Sequence, residues 1–328
     1  MVNPSALRRL LLAVGAAAAA FMPAATLAQA EWPAQPIRFI VGYPPGGGAD
    51  VTARLFAEHM ARGLGQRIVV ENRSGASGAI GASTVAKAEP DGYTLLAAAI
   101  SEITVNPAIN KALPYDPLAD FAPVTLLGRF PQVLVGAPSF APNSLAELIA
   151  YAKANPGKVR YASFGNNTLN HVNGERFRLA AGIEMVHVPY KGSGQSLVDV
   201  MSGVVELTFD SPATTLRHVK AGKLKAIAVT GEERIPGESI PTVIEGGVAG
   251  FTYYSWIGLL APAKTPRAVL ERLHREAVAA MRQPELRKVA EGNHMQTGGN
   301  TPEAFAQQIR SELAQYRQTA ARVGLSAQ

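Results

Sequence analysis

A glycine-rich turn near the start of the chain joins a short apolar run to an amphipathic stretch. Residues 37–41 read Ile-Arg-Phe-Ile-Val, residues 42–50 read Gly-Tyr-Pro-Pro-Gly-Gly-Gly-Ala-Asp, and helical spacing of apolar residues begins at Val51. A strand-turn-helix unit of this kind leaves backbone N–H groups uncovered at the positive end of a helix. The turn therefore predicts a site for a carboxylate or phosphate. The alternative is an ordinary strand-to-helix turn with Asp50 as the N-cap.

A second turn of this kind lies about 120 residues further along the chain. Residues 159–163 form a predicted strand, residues 164–171 form the turn Phe-Gly-Asn-Asn-Thr-Leu-Asn-His, and residues 172–181 form a predicted helix. Gly165 allows close backbone approach, and the side chains of Asn166, Asn167 and Thr168 can donate hydrogen bonds to a carboxylate. The two turns predict one anion cradle in each of two facing lobes. An Asn-rich capping turn remains the alternative for the second.

Strand-like and helix-like segments alternate between and beyond these turns. Predicted strands cover 67–71, 93–98, 122–127 and 133–136, and predicted helices cover 51–64, 83–88, 144–155 and 266–281. Ser144 and Glu147 have the spacing of a capping box. The alternation predicts an α/β fold with mostly parallel sheets, which place ligands outside the carboxyl ends of their strands.

The first 30 residues have the pattern of a cleavable secretory signal. Arg8 and Arg9 precede an apolar stretch at 10–21 that is too short to span a bilayer, and Ala28-Gln29-Ala30 has the form of a cleavage site. We therefore expect cleavage after Ala30 and a free periplasmic protein without a lipid anchor.

The remaining composition argues against several classes of protein. Removal of Arg8 and Arg9 lowers the formal net charge from +6 to +4, and the basic residues are scattered, so nucleic-acid binding is not expected. The chain has no cysteine, and its six histidines lack the spacing of a metal site. Residues 75–81 depart from a dinucleotide-binding fingerprint, and no Gly-x-Ser-x-Gly elbow occurs. We therefore predict no cofactor and no metal.

A series of short motifs runs in order along residues 32–262. They are Trp-Pro at 32–33, Pro-Ile at 36–37, Pro-Gly-Gly at 45–47, Glu-Asn-Arg at 71–73, Gly-Ala-Ser-Gly at 75–78, Pro-Asp-Gly-Tyr-Thr-Leu at 90–95, Leu-Pro-Tyr-Asp-Pro at 113–117, Val-Pro-Tyr-Lys-Gly at 188–192, Pro-Thr-Val at 241–243 and Trp-Ile-Gly-Leu-Leu-Ala-Pro at 256–262. With these motifs the chain resembles the Bug or TctC-type periplasmic solute receptors of tripartite tricarboxylate transport systems, over essentially all of residues 32–325.

The resemblance implies a two-lobed type II periplasmic binding protein fold with the ligand cleft between the lobes. Lobe 1 is expected at 31–128 with 253–328 and lobe 2 at 129–252, joined by crossings near 128–132 and 252–255. Such receptors bind small carboxylates without chemistry and deliver them to integral-membrane transporter subunits. We expect a monomer that binds a small organic acid or acidic amino acid. An orphan receptor that presents its ligand to a sensor kinase, and a secreted hydrolase, are the alternatives.

The resemblance also implies which residues bind the ligand. One carboxylate is expected against the backbone of the two turns, which comprise Pro45, Gly46, Gly47, Gly48, Ala49, Asp50, Phe164, Gly165, Asn166, Asn167 and Thr168. The far end of the ligand is expected at more variable positions, which here are Tyr43, Ser101, Glu102, Phe164, Tyr190, Lys191 and Asp210. His171 is expected to support the second turn rather than to touch the ligand.

Each variable position also has a plainer interpretation. Tyr43 and Phe164 could be half-buried loop aromatics, Lys191 a solvated surface residue and Asp210 a strand-end cap. Glu102 would repel a second ligand carboxylate, so it favours an amino acid or amide-bearing ligand, or else it points away from the cleft.

Overall fold

Two β-sheets form the framework of the protein, which the computed structural model describes over residues 32–325. The first sheet has six strands in the order β11-β4-β10-β3-β1-β2. These strands are β1 (Ile37–Val41), β2 (Ile68–Asn72), β3 (Thr94–Ala99), β4 (Phe121–Pro131), β10 (Tyr254–Pro262) and β11 (Gln296–Thr297). The predicted signal sequence at 1–30 lies outside the described residues.

The second sheet has five strands in the order β7-β6-β8-β5-β9. They are β5 (Val133–Gly136), β6 (Val159–Ser163), β7 (Met185–Pro189), β8 (Leu207–Asp210) and β9 (Lys225–Val229). This sheet is built entirely from the middle of the chain, whereas the first sheet takes strands from both sides of it.

The prediction of mostly parallel sheets was wrong for the strands nearest the crossings between the sheets. β1 pairs in parallel with β2 and β3, and β6 pairs in parallel with β7 and β8. In contrast, β10 runs antiparallel to β3 and β4, and β5 runs antiparallel to β8 and β9. Both β5 and β10 enter their sheets directly from the other sheet. In the described chain no helix lies between β4 and β5 or between β9 and β10. The rule that a strand-helix-strand connection makes its two strands parallel therefore does not apply to these connections.

Helices pack against both sheets. Within residues 32–325 they are α1 (Gly48–Leu64), α2 (Ala79–Ala86), α3 (Asn106–Ile109), α4 (Leu145–Ala154), α5 (Leu169–Ala181), α6 (Ser193–Met201), α7 (Pro212–Lys220), α8 (Arg267–Met281), α9 (Pro284–Gly292) and α10 (Pro302–Arg322). A π-helical turn, Ser101–Val105, follows β3. The Ser144 hydroxyl accepts the Glu147 N–H at 3.2 Å, which confirms the predicted cap of α4.

None of the helices within the described range is long and apolar enough to cross a membrane.

The apolar core lies along the strands. Phe39 of β1, Leu95 and Leu96 of β3, and Leu259 of β10 are fully buried. Adjacent residues of a strand point to opposite faces, so burial of both Leu95 and Leu96 means that the sheet is covered on both sides.

The chain passes between the sheets at two points that lie side by side. Gln132 separates β4 from β5, and Tyr253 immediately precedes β10. The Thr230 hydroxyl accepts the Gln132 N–H and donates to the Tyr253 carbonyl oxygen, both at 2.8 Å. Backbone hydrogen bonds at 2.9 and 3.0 Å add to these links. Thr230 therefore joins the two crossings.

Candidate functional site

A small cavity lies between the two sheets beside the crossings. It encloses about 50 Å³ of space, enough for a few water molecules or part of a small organic molecule. The residues that line it are Tyr43, Pro44, Gly47, Gly48, Ala49, Ala99, Ser101, Phe130, Gln132, Phe164, Leu169, Asn170, Ser193, Asp210, Ser211, Ser255 and Ile257. We call this space the ligand cavity. It draws residues from elements of both sheets.

Four helices begin at the wall of the ligand cavity. Gly48 opens α1, Leu169 opens α5, Ser193 opens α6, and Ser211 is the N-cap of α7. Helix geometry leaves first-turn N–H groups without partners inside the helix, and each N-terminus carries roughly half a positive charge. Among the described residues that line the cavity, none is Lys or Arg. Attraction of an anion therefore depends on the backbone.

The first predicted turn contributes through Gly47, Gly48 and Ala49, which line the ligand cavity. Gly46 and Pro45 do not line it. Gly46 has a φ of +85°, a conformation that glycine adopts easily, whereas Gly47 has an ordinary φ of −81°. The turn thus needs a glycine at 46 for its conformation and small residues at 47 and 48 for access to the backbone.

Asp50 stabilises the conformation of this turn by hydrogen bonds. Its carboxylate accepts hydrogen bonds from the Gly46 N–H, Arg54 and Asn72, each at 2.9 Å. Burial acts to raise the pKa of Asp50, but these hydrogen bonds outweigh it and lower the pKa. The N-cap of α1 is Gly47, so the alternative of Asp50 as N-cap was wrong. Asp50 organises the turn and does not line the ligand cavity.

The second predicted turn reaches the ligand cavity only at its two ends. Phe164 lines it on one side, and Leu169 and Asn170 line it at the start of α5. The Thr168 hydroxyl donates to the Gly165 carbonyl oxygen at 2.7 Å, within the turn itself. The predicted side-chain donors therefore do not surround this cavity, and the backbone at the start of α5 does.

Five other predicted residues line a separate hollow of about 390 Å³, which we call the outer hollow. Gly165, Asn166, Asn167, Tyr190 and Lys191 all border it. Tyr190 donates its hydroxyl to Asp199 at 2.7 Å, and Lys191 is exposed. Phe164 borders both spaces. Ligand contact by these outer residues remains a prediction.

A pair of stacked histidines contacts the second turn and the strand that precedes it. The rings of His171 and His187 lie 3.8 Å apart, and His171 Nδ1 faces the Asn167 N–H at 3.1 Å. His187 Nε2 lies 2.6 Å from the hydroxyl of Ser163. Burial lowers the pKa of both rings, that of His187 to about 3, so both are neutral near pH 7. Ser163 is fully buried, and its hydroxyl also bonds the Gly165 N–H at 3.1 Å.

Asp210 is a buried acid in the wall of the ligand cavity. Its carboxylate accepts hydrogen bonds from the hydroxyls of Ser193 and Thr214 and from the Ser211 N–H. Burial raises its pKa to about 6 because these donors only partly replace water. The site thus contains one titratable group that accepts hydrogen bonds, set among four helix N-termini.

Glu102 lies near the ligand cavity but does not line it. One carboxylate oxygen accepts the Ala99 N–H at 2.7 Å, and the other is buried without a hydrogen-bond partner. Burial raises the pKa of Glu102 to about 8. Tyr43, by contrast, lines the cavity and donates its hydroxyl to the Ser77 carbonyl oxygen at 3.1 Å.

The sequence did not single out several residues of the site. Gln132, Asn170, Ser193, Ser211 and Ser255 line the ligand cavity and were missed. For two of them a local signal existed. Gly-Ser at 192–193 and Asp-Ser-Pro at 210–212 each follow a strand and precede a helix, like the two turns that were recognised.

Two sheets, two adjoining crossings and a cavity at converging helix N-termini define a two-lobed solute-binding protein. The sequence profile of the tripartite tricarboxylate transporter family receptor, TctC, matches residues 52–325. The chain belongs to this family, as its motifs predicted.

Individual relatives agree with this assignment. The protein BugT of Bordetella pertussis is 37% identical over 275 residues, which cover 83% of this chain and 84% of BugT. A structure of a periplasmic transporter is 40% identical with a TM-score of 0.87, covering 90% of this chain and 99% of that one. Rpa4515 of R. palustris, solved with adipate, is 32% identical with a TM-score of 0.88, covering 91% and 100%. These similarities confirm the predicted fold class.

Proposed function

We propose that this protein captures a small organic carboxylate in the ligand cavity and delivers it to the membrane subunits of a tripartite tricarboxylate-type transporter. The observation that carries the proposal is the convergence of four helix N-termini on a cavity without a cationic side chain. Helix N-termini favour carboxylates and phosphates. The adipate bound to Rpa4515, a relative of similar fold, supports a carboxylate.

The first carboxylate of the ligand binds the backbone N–H groups of Gly48 and Ala49 from one sheet and of Asn170 from the other. The hydroxyls of Ser193 and Ser211 also line the cavity, but Ser193 donates its proton to Asp210 and Ser211 is hydrogen-bonded to Thr214, so the backbone N–H groups are the donors for the ligand. A ligand that bridges the sheets in this way stabilises the closed arrangement by the contacts that the open arrangement lacks.

The moving parts in this proposal are lobe 1, at 31–128 with 253–328, and lobe 2, at 129–252. Support comes from the positions of the crossings at Gln132 and Tyr253. Polar contacts elsewhere between the two lobes include Ser77 with the Asn166 carbonyl oxygen at 2.7 Å and Ser101 with the Leu169 N–H at 3.0 Å. The His294 ring also lies 4.0 Å from the Glu238 carboxylate.

An acidic amino acid is the second candidate ligand, and Asp210 is the observation that favours it. This carboxylate lines the cavity and is bonded to neutral donors. It could pair with the ammonium group of an amino acid, whereas it would weaken binding of a second plain carboxylate.

Calorimetry on the protein at pH 7.5 tests the proposal. The panel contains C4 to C6 dicarboxylates, citrate, aspartate and glutamate, with the matching diamides as uncharged controls. We expect at least one acid to bind with a Kd below about 10 µM, equivalent to roughly 7 kcal/mol, while its diamide does not bind. Equal binding of acids and diamides would refute an anion site.

Export and delivery are further parts of the proposal. We infer periplasmic localisation, cleavage after Ala30 and a monomeric receptor, as the family assignment supports. N-terminal sequencing of the exported protein tests the cleavage. Uptake of the labelled ligand by cells with and without the gene tests delivery, and unchanged uptake together with a lost transcriptional response would favour presentation to a sensor kinase.

A further inference from the structure

Strands β4 and β10 have a space on each of their two faces. Residues facing the ligand cavity are Phe130, Ser255 and Ile257. Their neighbours Arg129, Tyr254 and Trp256 border a second hollow, of about 220 Å³. The alternation follows from the two-residue period of a strand. We call this second space the hinge hollow, because Thr252 and Tyr253 at the crossing also line it.

Two arginines border the hinge hollow. The Arg129 guanidinium lies 5.0 Å from the centre of the Tyr254 ring, and the Arg176 guanidinium lies 5.1 Å from that of Phe251. Their hydrogen bonds go to the neutral side chains of Gln296 and Asn173. Within the described chain neither arginine forms an ion pair with a carboxylate.

One acid also borders the hollow. Glu312 of α10 accepts the indole N–H of Trp256 at 2.7 Å and the amide of Gln308 at 2.9 Å. Burial raises the pKa of Glu312 from its ordinary value. Two guanidinium groups and one carboxylate leave the lining with a net positive charge, so the hollow attracts anions.

The rest of the lining is partly aromatic and partly polar. Of its four aromatic residues, Tyr253, Trp256 and Tyr316 are buried and Tyr254 is half-buried. The neutral polar residues of the lining are Thr252, Gln308, Gln315 and Thr319. The volume is below the roughly 300–1,000 Å³ of sites for drug-sized molecules. The partly accessible Tyr254 ring and two cationic groups suit a small planar anion, because guanidinium pairs with a carboxylate through two parallel hydrogen bonds.

We propose that the hinge hollow is a second binding site, for a small aromatic carboxylate, and that its occupant influences the ligand cavity through the crossing. The Tyr253 hydroxyl donates to Gln132 Oε1 at 3.1 Å, and the same oxygen accepts from Asn170 at 3.3 Å. Gln132 and Asn170 line the ligand cavity. An occupant that shifts Tyr253 thus reaches two residues of the other site. Binding at the hinge hollow does not depend on the proposed function.

Benzoate is the probe, and benzamide is its uncharged control. The chain has two tryptophans, so an indole ¹⁵N–¹H spectrum reports on Trp256 after assignment with Trp32→Phe. We expect benzoate to shift the Trp256 signal with saturation at millimolar concentration and benzamide to leave it in place. Arg129→Gln and Arg176→Gln, tested separately, should each weaken benzoate binding by about tenfold through loss of charge-assisted hydrogen bonds.

One further variant distinguishes binding in the hinge hollow from binding elsewhere on the protein. Arg317→Gln removes an exposed arginine of α10 that does not border the hollow, and it should bind benzoate as the wild type does. Equal shifts with benzamide, unchanged binding in both hollow arginine variants, or weakened binding in Arg317→Gln would each overturn the proposal.

Discussion

The hydroxyl oxygen of Ser101 accepts a hydrogen bond at 3.0 Å from the backbone N–H of Leu169, the first residue of α5. Ser101 follows β3 of the first sheet, whereas α5 packs on the second. The residue at the N-cap position, Thr168, does not cap the helix with its own side chain. Ser101 therefore caps a helix across the cleft, and the contact exists only when the two sheets are close together.

Ser101→Ala should favour the open protein. Loss of a capping acceptor costs about 1 kcal/mol, so we expect ligand affinity to fall by roughly fivefold while the melting temperature of the free protein changes little. Titration calorimetry measures the affinity, scanning calorimetry measures the melting temperature, and small-angle X-ray scattering measures the open fraction. Ser202→Ala, which removes an exposed hydroxyl that bonds Asp199, is the matched control. Unchanged affinity in Ser101→Ala would rule out a role in closure.

Gly48→Ala should hinder closure by contact. A Cβ at Gly48 would lie 3.2 Å from the Ser211 hydroxyl oxygen and 3.3 Å from the Phe130 ring. Such a close approach requires Ser211 or Phe130 to move by a few tenths of an ångström, and we expect a loss of affinity of about tenfold, about 1.4 kcal/mol. Gly194→Ala, a helical glycine with open space around it, is the control. Equal affinity of the two variants would contradict a steric role of position 48 in closure.

Stability should fall as the pH rises from about 4.5 to about 8 because of Glu102. Burial raises its pKa to about 8 from 4.5, so in this range the folded protein retains a proton that the unfolded chain loses. The slope is at most about 1.4 kcal/mol per pH unit.

Glu102→Gln removes this titration and keeps the size of the side chain. Urea unfolding between pH 5 and 9 should give a flatter profile and a more stable variant at pH 8. Glu58→Gln, at an exposed helical position, should keep the wild-type profile. If the profile of Glu102→Gln matches that of the wild type, Glu102 is not a buried acid of this kind.

Asp210→Asn should separate the two candidate ligand classes. Burial raises the pKa of Asp210 to about 6, so at pH 7.5 its carboxylate is mostly charged in the wall of the cavity. We expect the variant to bind dicarboxylates more tightly and aspartate or glutamate more weakly, each by about tenfold at an effective dielectric constant near 20. Glu102→Gln is the control, because Glu102 does not line the cavity. A parallel change for both ligand classes would exclude charge recognition by Asp210.

Thr230→Val should destabilise the whole protein. The Thr230 hydroxyl bonds both crossings, and valine of the same shape leaves a buried N–H and a buried carbonyl oxygen with fewer partners. Each unsatisfied group costs about 1–3 kcal/mol, so a loss of about 2–4 kcal/mol in the free energy of unfolding is expected by urea titration. Thr84→Val, which removes a single hydrogen bond to Ile80, should lose less than half as much.

Much of the fold was visible in local patterns. The predicted strands at 133–136 and 159–163 coincide with β5 and β6, and Ser144 caps α4 as expected. Apolar runs between turns and caps are properties of adjacent residues, so a single sequence displays them. The starts of α2 and α5 were placed too late, because their first turns contain small or polar residues that resemble loop.

The candidate site was visible only in part. Gly47, Gly48 and Phe164 stood out because strand-to-helix turns rich in glycine or asparagine are local features, and they line the ligand cavity. The family motifs also brought Ser101 and Asp210 into the predicted site. Asn166 and Asn167 have suitable side chains, but the turn directs them to the outer hollow.

Patterns of neighbouring residues specify the alternating strands and helices, the two strand-to-helix turns and the family. Which residues meet in the cavity depends on tertiary packing. Gln132, Ser193 and Ser255 are far apart in the chain and come together because two antiparallel strands cross between the sheets. The same packing decides that Ser101 caps α5 and that Glu102, one residue later, is buried behind the cavity. Contacts of this kind depend on the relative position of the two sheets, which no short stretch of residues encodes.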